Sequence, residues 1–534
     1  MTDLVKLTAG PASLAAALIQ RSLLVQERAR LAKENADAAQ RKMADLERQL
    51  ADVQASTSWR LTAPLRAVGY ALRSVISRRR ATPEGQTRSE PACDTELATS
   101  QRRHPEDEAK QEFRRSCSNA LAAFLAGSTR LALPRSATPR VSVIIVVHNQ
   151  AELTFACLES LAREAPLDTE VIIVNNASTD STSALLKRID GVCVVNASEN
   201  LHFLRGVNRA SLEARGRHLL LLNNDTIVAP GAIKAASDRL DQEPDLGAVG
   251  GMILRLDGTL QEAGCITWRD GHCEGYGRGE HPESPAFAFT RDVDYCSGAF
   301  LMVRRQVFEA LGGLDEVFAP AYFEEVDLCM RIRAAGFRVG YEPRAQITHF
   351  EYGSVESSAS AKALYDRNHV TFVERYGSVL RSAHLDPTRG ALAARARTPH
   401  PGAVLLLDGA EDVGDETDSL FRDAFTSLRL AGTAITYLRL APTDRPGMEE
   451  NALRRSGIEV VRAATLSEIR AFLAEREKFY SLVIHSASKN VHLVDEAIAA
   501  ISSTLIKDEA IALGRADVRR GRPAEGEESR EDRS

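Results

Sequence analysis

No two of the eight cysteines stand in a Cys-x-x-Cys spacing, which argues against a zinc ribbon or a thioredoxin-type redox pair and leaves reduced thiols as the expectation. Long apolar runs are also missing. No stretch approaches the roughly 18 consecutive apolar residues of a membrane span, and the N-terminus lacks a compact signal-peptide pattern. Neither G-x-x-x-x-G-K-[ST] nor G-x-G-x-x-G occurs after a strand-like segment, so no Walker or dinucleotide loop is indicated. The formal net charge is only -6, which gives no global attraction to nucleic acid. Acid is absent locally, from Ala55 to Pro83, where Arg60, Arg66, Arg73, Arg78, Arg79 and Arg80 all fall.

What is present is segmental, and 534 residues exceed a single core. Leu18, Ser22, Val25, Ala29, Ala32, Ala36, Ala39, Met43, Leu46, Leu50 and Val53 keep a strict four-three spacing, which predicts a coiled coil over residues 1–55 and possible pairing of the chain with itself. Residues 56–80 follow as a basic amphipathic helix. Leu65, Val68, Leu72, Val75 and Ile76 share one face, and the helix either lies in an anionic membrane interface or packs on the domain that follows. Residues 81–138 read as a linker and a short helix. The expected location is cytoplasmic, with peripheral contact at the inner face of the membrane.

From 139 to 385 the pattern alternates. "VSVIIVV", "TEVIIVN", "VCVV" and "HLLLLN" are short apolar runs separated by helical stretches, which predicts an α/β domain on a parallel sheet. Residues 402–503 repeat strand and helix as a small partial Rossmann-like unit, and 504–534 read as a disordered charged tail. Two places in the main domain carry chemistry-bearing groups. "LLLLNND" stops a buried strand on Asp225, at the C-terminal strand edge where open α/β sheets bind ligands. "YFEEVDL" crowds Glu324, Glu325 and Asp327 into one helical turn. Dipole compensation does not call for that many adjacent acids, and mutual repulsion raises a carboxyl pKa toward that of a general base. His349, ending "QITH", is a possible partner of Asp225 on a metal.

Taken in order, these landmarks resemble the family 2 glycosyltransferases, rhamnosyltransferase-like members among them. "PRVSVIIVVHNQ" is similar to that family's opening strand and loop, "EVIIVNNASTDST" to its second strand, and "ENLHFLRGVNRASLEARGRHLLLLNNDT" to the stretch ending in the D-x-D triplet, of which only Asp225 is kept. "DYCSGAFLMVRRQVFEALGGLDEVF" is similar to the acceptor-side loop and helix. "YFEEVDLCMRIRAAGFRVGYEP" is similar to the acidic-pair motif, and "ITHFEYGS" to the late histidine. The resemblance implies a GT-A fold and inverting transfer of a sugar from a UDP- or dTDP-linked donor to a glycan or lipid-linked acceptor. It implies Glu325 as base, with Glu324 and Asp327 as alternatives, and Asp225 with His349 on Mg²⁺ or Mn²⁺. Val147, Asn149, Asn175, Asp180, Arg205, Asn208 and Asn224 would hold the donor, and Ser297 and Gly298 would border the acceptor. The C-terminal unit resembles the first half of a GT-B enzyme, too short for a second active site. A nucleotidyltransferase on a related fold, or a catalytically weak scaffold for other glycosyltransferases, are the alternatives.

Overall fold

The computed structural model describes residues 105–351, 358–397, 403–408, 425, 432–440, 450–476, 479–486 and 510–513. The coiled coil, the basic helix and the first part of the linker lie outside the described residues. The described chain divides into one unit before residue 398 and another after it, preceded in the first by a helix at Pro105–Ala126.

The main unit runs β1 (Val141–Val147), α1 (Ala151–Glu164), β2 (Thr169–Asn176), β3 (Val192–Ala197), α2 (His202–Ser211), β4 (His218–Asn223), β5 (Thr226–Val228), α3 (Ala232–Gln242), β6 (Leu246–Leu254), β7 (Leu260–Ala263), β8 (Cys265–Thr267), β9 (Cys273–Gly275), β10 (Phe300–Arg304), α4 (Glu324–Ala334), β11 (Arg338–His349) and α5 (Ser358–Ala383). The four apolar runs are β1 to β4, and they pair in parallel in the order β4, β1, β2, β3. Helices cover both faces of the central strands, so β1, β2 and β4 bury nearly every side chain instead of every second one, while β3 stays partly exposed. Leu219, Leu220, Leu221 and Leu222 are all fully buried, each contributing roughly 2 kcal/mol of apolar burial. Their odd members pack with Ile144 and Ile172, and their even members with Val143 and Ile145 on the opposite face.

The expectation of a parallel sheet is corrected on the other side of β4. There β10 enters antiparallel between β4 and β6, while β11 lies parallel to β6 and receives β5 antiparallel at its end. An apolar run such as "FLMV" states burial but not direction, because direction depends on where the preceding loop delivers the chain. The pairing places Thr226 opposite His349. Two residues separated by more than a hundred positions thereby meet at one strand edge.

The second unit is a five-stranded sheet of β12 (Ala403–Asp408), β13 (Ala434–Arg439), β14 (Ile458–Arg462), β15 (Tyr480–Ser486) and β16 (Ala510–Leu513), all parallel in the order β14, β13, β12, β15, β16. This is the strand order of a doubly wound nucleotide-binding sheet. A helix at Leu466–Ala474 starts on a capping box of Thr465 and Glu468. Strand β16 falls inside the segment expected to be a disordered tail. Its four apolar residues add an edge strand, so the boundary drawn at 503 is corrected there. Among the described residues no helix is long and apolar enough to cross a membrane, and every cysteine is free.

Candidate active site

The C-terminal ends of β1, β2 and β4 open onto one edge. Leaving β1 after the buried Val147, the chain turns through Asn149 and Gln150 with φ of 58° and 61°. The Asn149 side-chain oxygen accepts the Thr179 amide at 2.8 Å. Asp180 accepts the Ala151 amide at 3.0 Å and the Thr182 amide at 2.9 Å, capping two helices from one loop. Asn175 accepts from the Ser178 amide and donates to Ser183 Oγ and Asn196 Oδ1. These residues therefore shape the loops around the edge, and their hydrogen bonds run chiefly to one another.

Two residues expected on the donor lie elsewhere. On α2, Arg205 and Asn208 stand three positions apart and share a face, which looks toward the turn after residue 312. Asn208 grips Leu314 with both side-chain atoms, at 2.8 and 2.9 Å, and Arg205 pairs with Glu316 at 3.1 Å. Asn208 thus serves the fold, while Arg205 keeps a half-exposed side chain in a surface ion pair. Asn224 is corrected as well. In the turn between β4 and β5, Asn224 is buried with its amide donating to Thr154 Oγ1 on α1 at 2.9 Å.

Its neighbours face the other way. His349 Nε2 lies 3.1 Å from Asp225 Oδ1 and 3.3 Å from Asn223 Nδ2. Nδ1 lies 2.9 Å from Gln261 Oε1. A proton on Nδ1 donated to Gln261 leaves Nε2 as the ligating nitrogen, the usual arrangement of a metal-binding imidazole. Burial acts to lower the His349 pKa, but the Asp225 charge and its hydrogen bond, with Glu351 and Glu262 beyond, raise it overall. The spacing fits an ion, because two adjacent donors on a cation with bonds of about 2.1 Å stand roughly 3 Å apart. Among the described residues no cluster of three or more His, Cys, Asp or Glu is arranged to hold a metal. A divalent ion here would draw its remaining ligands from diphosphate and water, as Mg²⁺ and Mn²⁺ commonly do. Gln261 and Asn223 carry no signal in the sequence, since a lone amide has no spacing rule.

The acid pair opens α4. Glu324 is buried, and one carboxylate oxygen of Glu324 and one of Glu325 are enclosed without a hydrogen-bond partner. Such orphaned atoms ask for a donor from outside the protein. Burial, then the Glu325 charge, drives Glu324 well above the usual carboxylate range. Glu325 is pushed up to about 7, by burial first and by the Glu262 charge against the pull of its own backbone amide. Glu325 is thus placed where a general base works best, and Glu324 is held toward its protonated form. Glu262, on β7, is a third buried acid that the sequence did not reveal. Its Oε1 accepts the Ser297 amide at 3.2 Å, tying the expected acceptor border to the same pocket. At Gly298 a Cβ would stand 3.4 Å from the Phe203 ring, an ordinary contact, so space alone does not require glycine there.

Asp327 is corrected from alternative base to structural anchor. Its side chain is fully buried and accepts Arg331 Nε at 2.7 Å, Arg375 Nη1 at 2.8 Å and Tyr376 Oη at 2.6 Å. Removing one partner from a buried ion pair leaves the rest uncompensated. Asp327→Asn should therefore lose about 3 kcal/mol of stability. An unchanged denaturation midpoint would refute the anchoring role.

Residues 142–312 match the glycosyl transferase family 2 model. The chain is 30% identical over 247 residues to the O-antigen biosynthesis protein RfbC of Myxococcus xanthus, covering 44% of this chain and 19% of that one. It is 30% identical over 239 residues to the uncharacterized protein y4gI of Sinorhizobium fredii, covering 42% of this chain and 26% of that one. The chain thus spans about a quarter or less of these two relatives. With the N-acetylglucosaminyl-diphospho-decaprenol L-rhamnosyltransferase of Mycobacterium tuberculosis it shares 29% identity over 262 residues, 44% of this chain and 84% of that one. A solved mannosyltransferase from Pyrobaculum calidifontis, in complex with GDP-Man and Mn²⁺, matches at 18% identity with a TM-score of 0.34, over 53% of this chain and 74% of that one. The match to the family 2 model falls in the region where the motifs resemble that family, and this region has the α/β class expected there.

Proposed function

We propose that the main unit transfers a sugar, with inversion, from a nucleoside diphosphate sugar to a hydroxyl of a glycan or lipid-linked acceptor during cell-surface polysaccharide assembly. The observation that carries the reading is the pairing of Asp225 with His349 at the strand edge, in the same unit as the half-buried Glu325, whose carboxyl is pushed up to about 7. Asp225 and His349 would hold Mg²⁺ or Mn²⁺, whose charge would neutralise the departing diphosphate. Glu325 takes the acceptor proton as the oxygen attacks the anomeric carbon from the face opposite the diphosphate, so a single displacement inverts that centre. Burial and the Glu325 charge hold Glu324 toward its protonated form, which limits the negative charge beside the attacking oxygen. The loops around Asn149, Asn175 and Asp180 frame the nucleoside, and an amide at Asn175 accommodates uridine or thymidine. The names of the Myxococcus and Mycobacterium relatives support a polysaccharide or lipid-linked setting.

Incubation of the full chain with UDP- and dTDP-sugars and Mn²⁺ or Mg²⁺ tests the reading. Release of nucleoside diphosphate supports it. Release of pyrophosphate from nucleoside triphosphate and sugar phosphate instead assigns a nucleotidyltransferase, and no turnover with any donor assigns a scaffold. Self-association through residues 1–55 and peripheral attachment through Trp59–Arg80 belong to the same proposal, on the strength of their sequence pattern. Deleting Trp59–Arg80 should release the protein from vesicles of anionic lipid in a flotation assay, and retained binding would refute the attachment. The C-terminal sheet is read as a docking module without catalysis of its own.

A further inference from the structure

The helix at Pro105–Ala126 precedes the residues that match the family model, yet it reaches the edge of the candidate site at two places. One is Phe350, the residue after His349. Its amide donates to the Asp225 carbonyl at 2.9 Å, so Phe350 is joined to one expected metal ligand by the chain and to the other by a hydrogen bond. The Phe350 side chain is buried and packs with Cys117 of the helix and Leu153 of α1. Phe113, one turn back, sets its ring centroid 6.1 Å from that of Phe350.

The other place is Gln150. This half-buried residue, left-handed at φ 61°, stands between Asn149, which accepts the Thr179 amide, and Ala151, which donates to Asp180. Arg114 connects the two places. Its Nη2 donates to Gln150 Oε1 at 2.5 Å, and its Nε stands 3.5 Å from Glu152 Oε1 in the first turn of α1. Its guanidinium carbon lies 5.0 Å from the centre of the Phe350 ring. A guanidinium suits this position, because its planar fork donates along the edge while its face covers an aromatic ring. Attachment of the helix does not require it. Phe113, Cys117 and Leu121, spaced four apart on one face, already dock the helix through apolar contacts.

We propose that Arg114 is a positioning residue, a tether that fixes the loop of Asn149 and Asp180 relative to the edge of Asp225 and His349. The proposal rests on the glycosyl-transfer reading and adds to it a helix which that reading leaves unused. A nucleoside diphosphate must seat its nucleoside in the loop and its phosphates at the edge together. Fixing the spacing of the two in advance removes an ordering cost that binding would otherwise carry.

Hydrogen exchange of the full chain, read by mass spectrometry, tests the tether, and titration calorimetry with UDP and Mn²⁺ tests its consequence. In Arg114→Ala the peptides carrying Ala151 and Phe350 should exchange about tenfold faster, while those of β10 and the melting temperature stay near the parent's. Arg114→Lys keeps the charge over Phe350 but not the fork, and should fall between. UDP with Mn²⁺ should bind Arg114→Ala about tenfold more weakly, and Gln150→Ala should add little in the double variant, since the two share one contact. Unchanged exchange in Arg114→Ala, faster exchange spread equally over β10, or local loosening with the parent's full UDP affinity overturns the proposal. Local loosening in Arg114→Ala, when the parent itself binds neither UDP nor Mn²⁺, upholds the tether and sinks the transferase reading. UDP and Mn²⁺ binding by the parent with no loosening in the variant sinks the tether alone.

Discussion

In the Glu325→Gln protein, sugar transfer falls about 10²- to 10⁴-fold, the range that removal of a general base produces, while the fold is kept. Glutamine preserves the shape and removes the ability to accept a proton. The same substitution at Glu324 should cost less than tenfold, because burial and the Glu325 charge already push that carboxyl toward its protonated form. The pH dependence follows from the same geometry. With Glu325 pushed up to about 7 by burial and the Glu262 charge, log kcat/KM should climb with unit slope below about pH 7 and level off above it. Stability should move the opposite way. The folded pKa lies above the ordinary 4.5, so between those values the native state keeps a proton that the unfolded chain has released. The protein then loses stability as pH rises through that window. Glu325→Gln removes the share of this slope that Glu325 contributes, so it should melt at least as high as the parent at pH 8. A variant with normal turnover, or a pH-rate limb near 4.5, would remove Glu325 from the mechanism.

The second large effect is expected at Asp225. Asp225→Asn should lower kcat/KM by about 10³-fold, since a divalent ion supplies several kcal/mol of stabilisation to a departing diphosphate. It should also abolish Mn²⁺ uptake in the presence of UDP, read directly by electron paramagnetic resonance. Asparagine keeps the hydrogen-bonding shape toward His349 but not the charge. The instructive contrast is Asn224→Ala, one residue away. That side chain is buried on Thr154, so its loss should leave Mn²⁺ uptake intact and reduce stability by roughly 1 kcal/mol. If Asn224 rather than Asp225 controls metal uptake, the orientation of the triplet is wrong.

How legible the protein was in its sequence varies with the range of the signal. The four apolar runs and the helices between them were readable because burial on both faces imposes uninterrupted Val, Ile and Leu. The crowding in "YFEEVDL" was readable because dipole compensation does not require it. Direction and facing were not. The antiparallel entry of β10, the inward turn of Asn224 and the use of Arg205 and Asn208 against the loop after residue 312 each depend on what a distant segment presents. Asp327 shows the limit well. Its spacing makes it an equal third member of the acid group, yet Arg331, Arg375 and Tyr376 claim it completely, and two of those partners come from α5.

The sequence by itself determined the α/β class, the strand that ends on Asp225 and the acid pair at a helix start, because these follow from local pattern. Only the tertiary structure decided that Asp225 meets His349, that Gln261 orients that ring, that Glu262 joins the buried acids and that Arg114 reaches Gln150. The physical reason is that a hydrogen bond or a pKa depends on atoms within a few ångströms, and the fold brings those atoms together from positions that share no pattern along the chain.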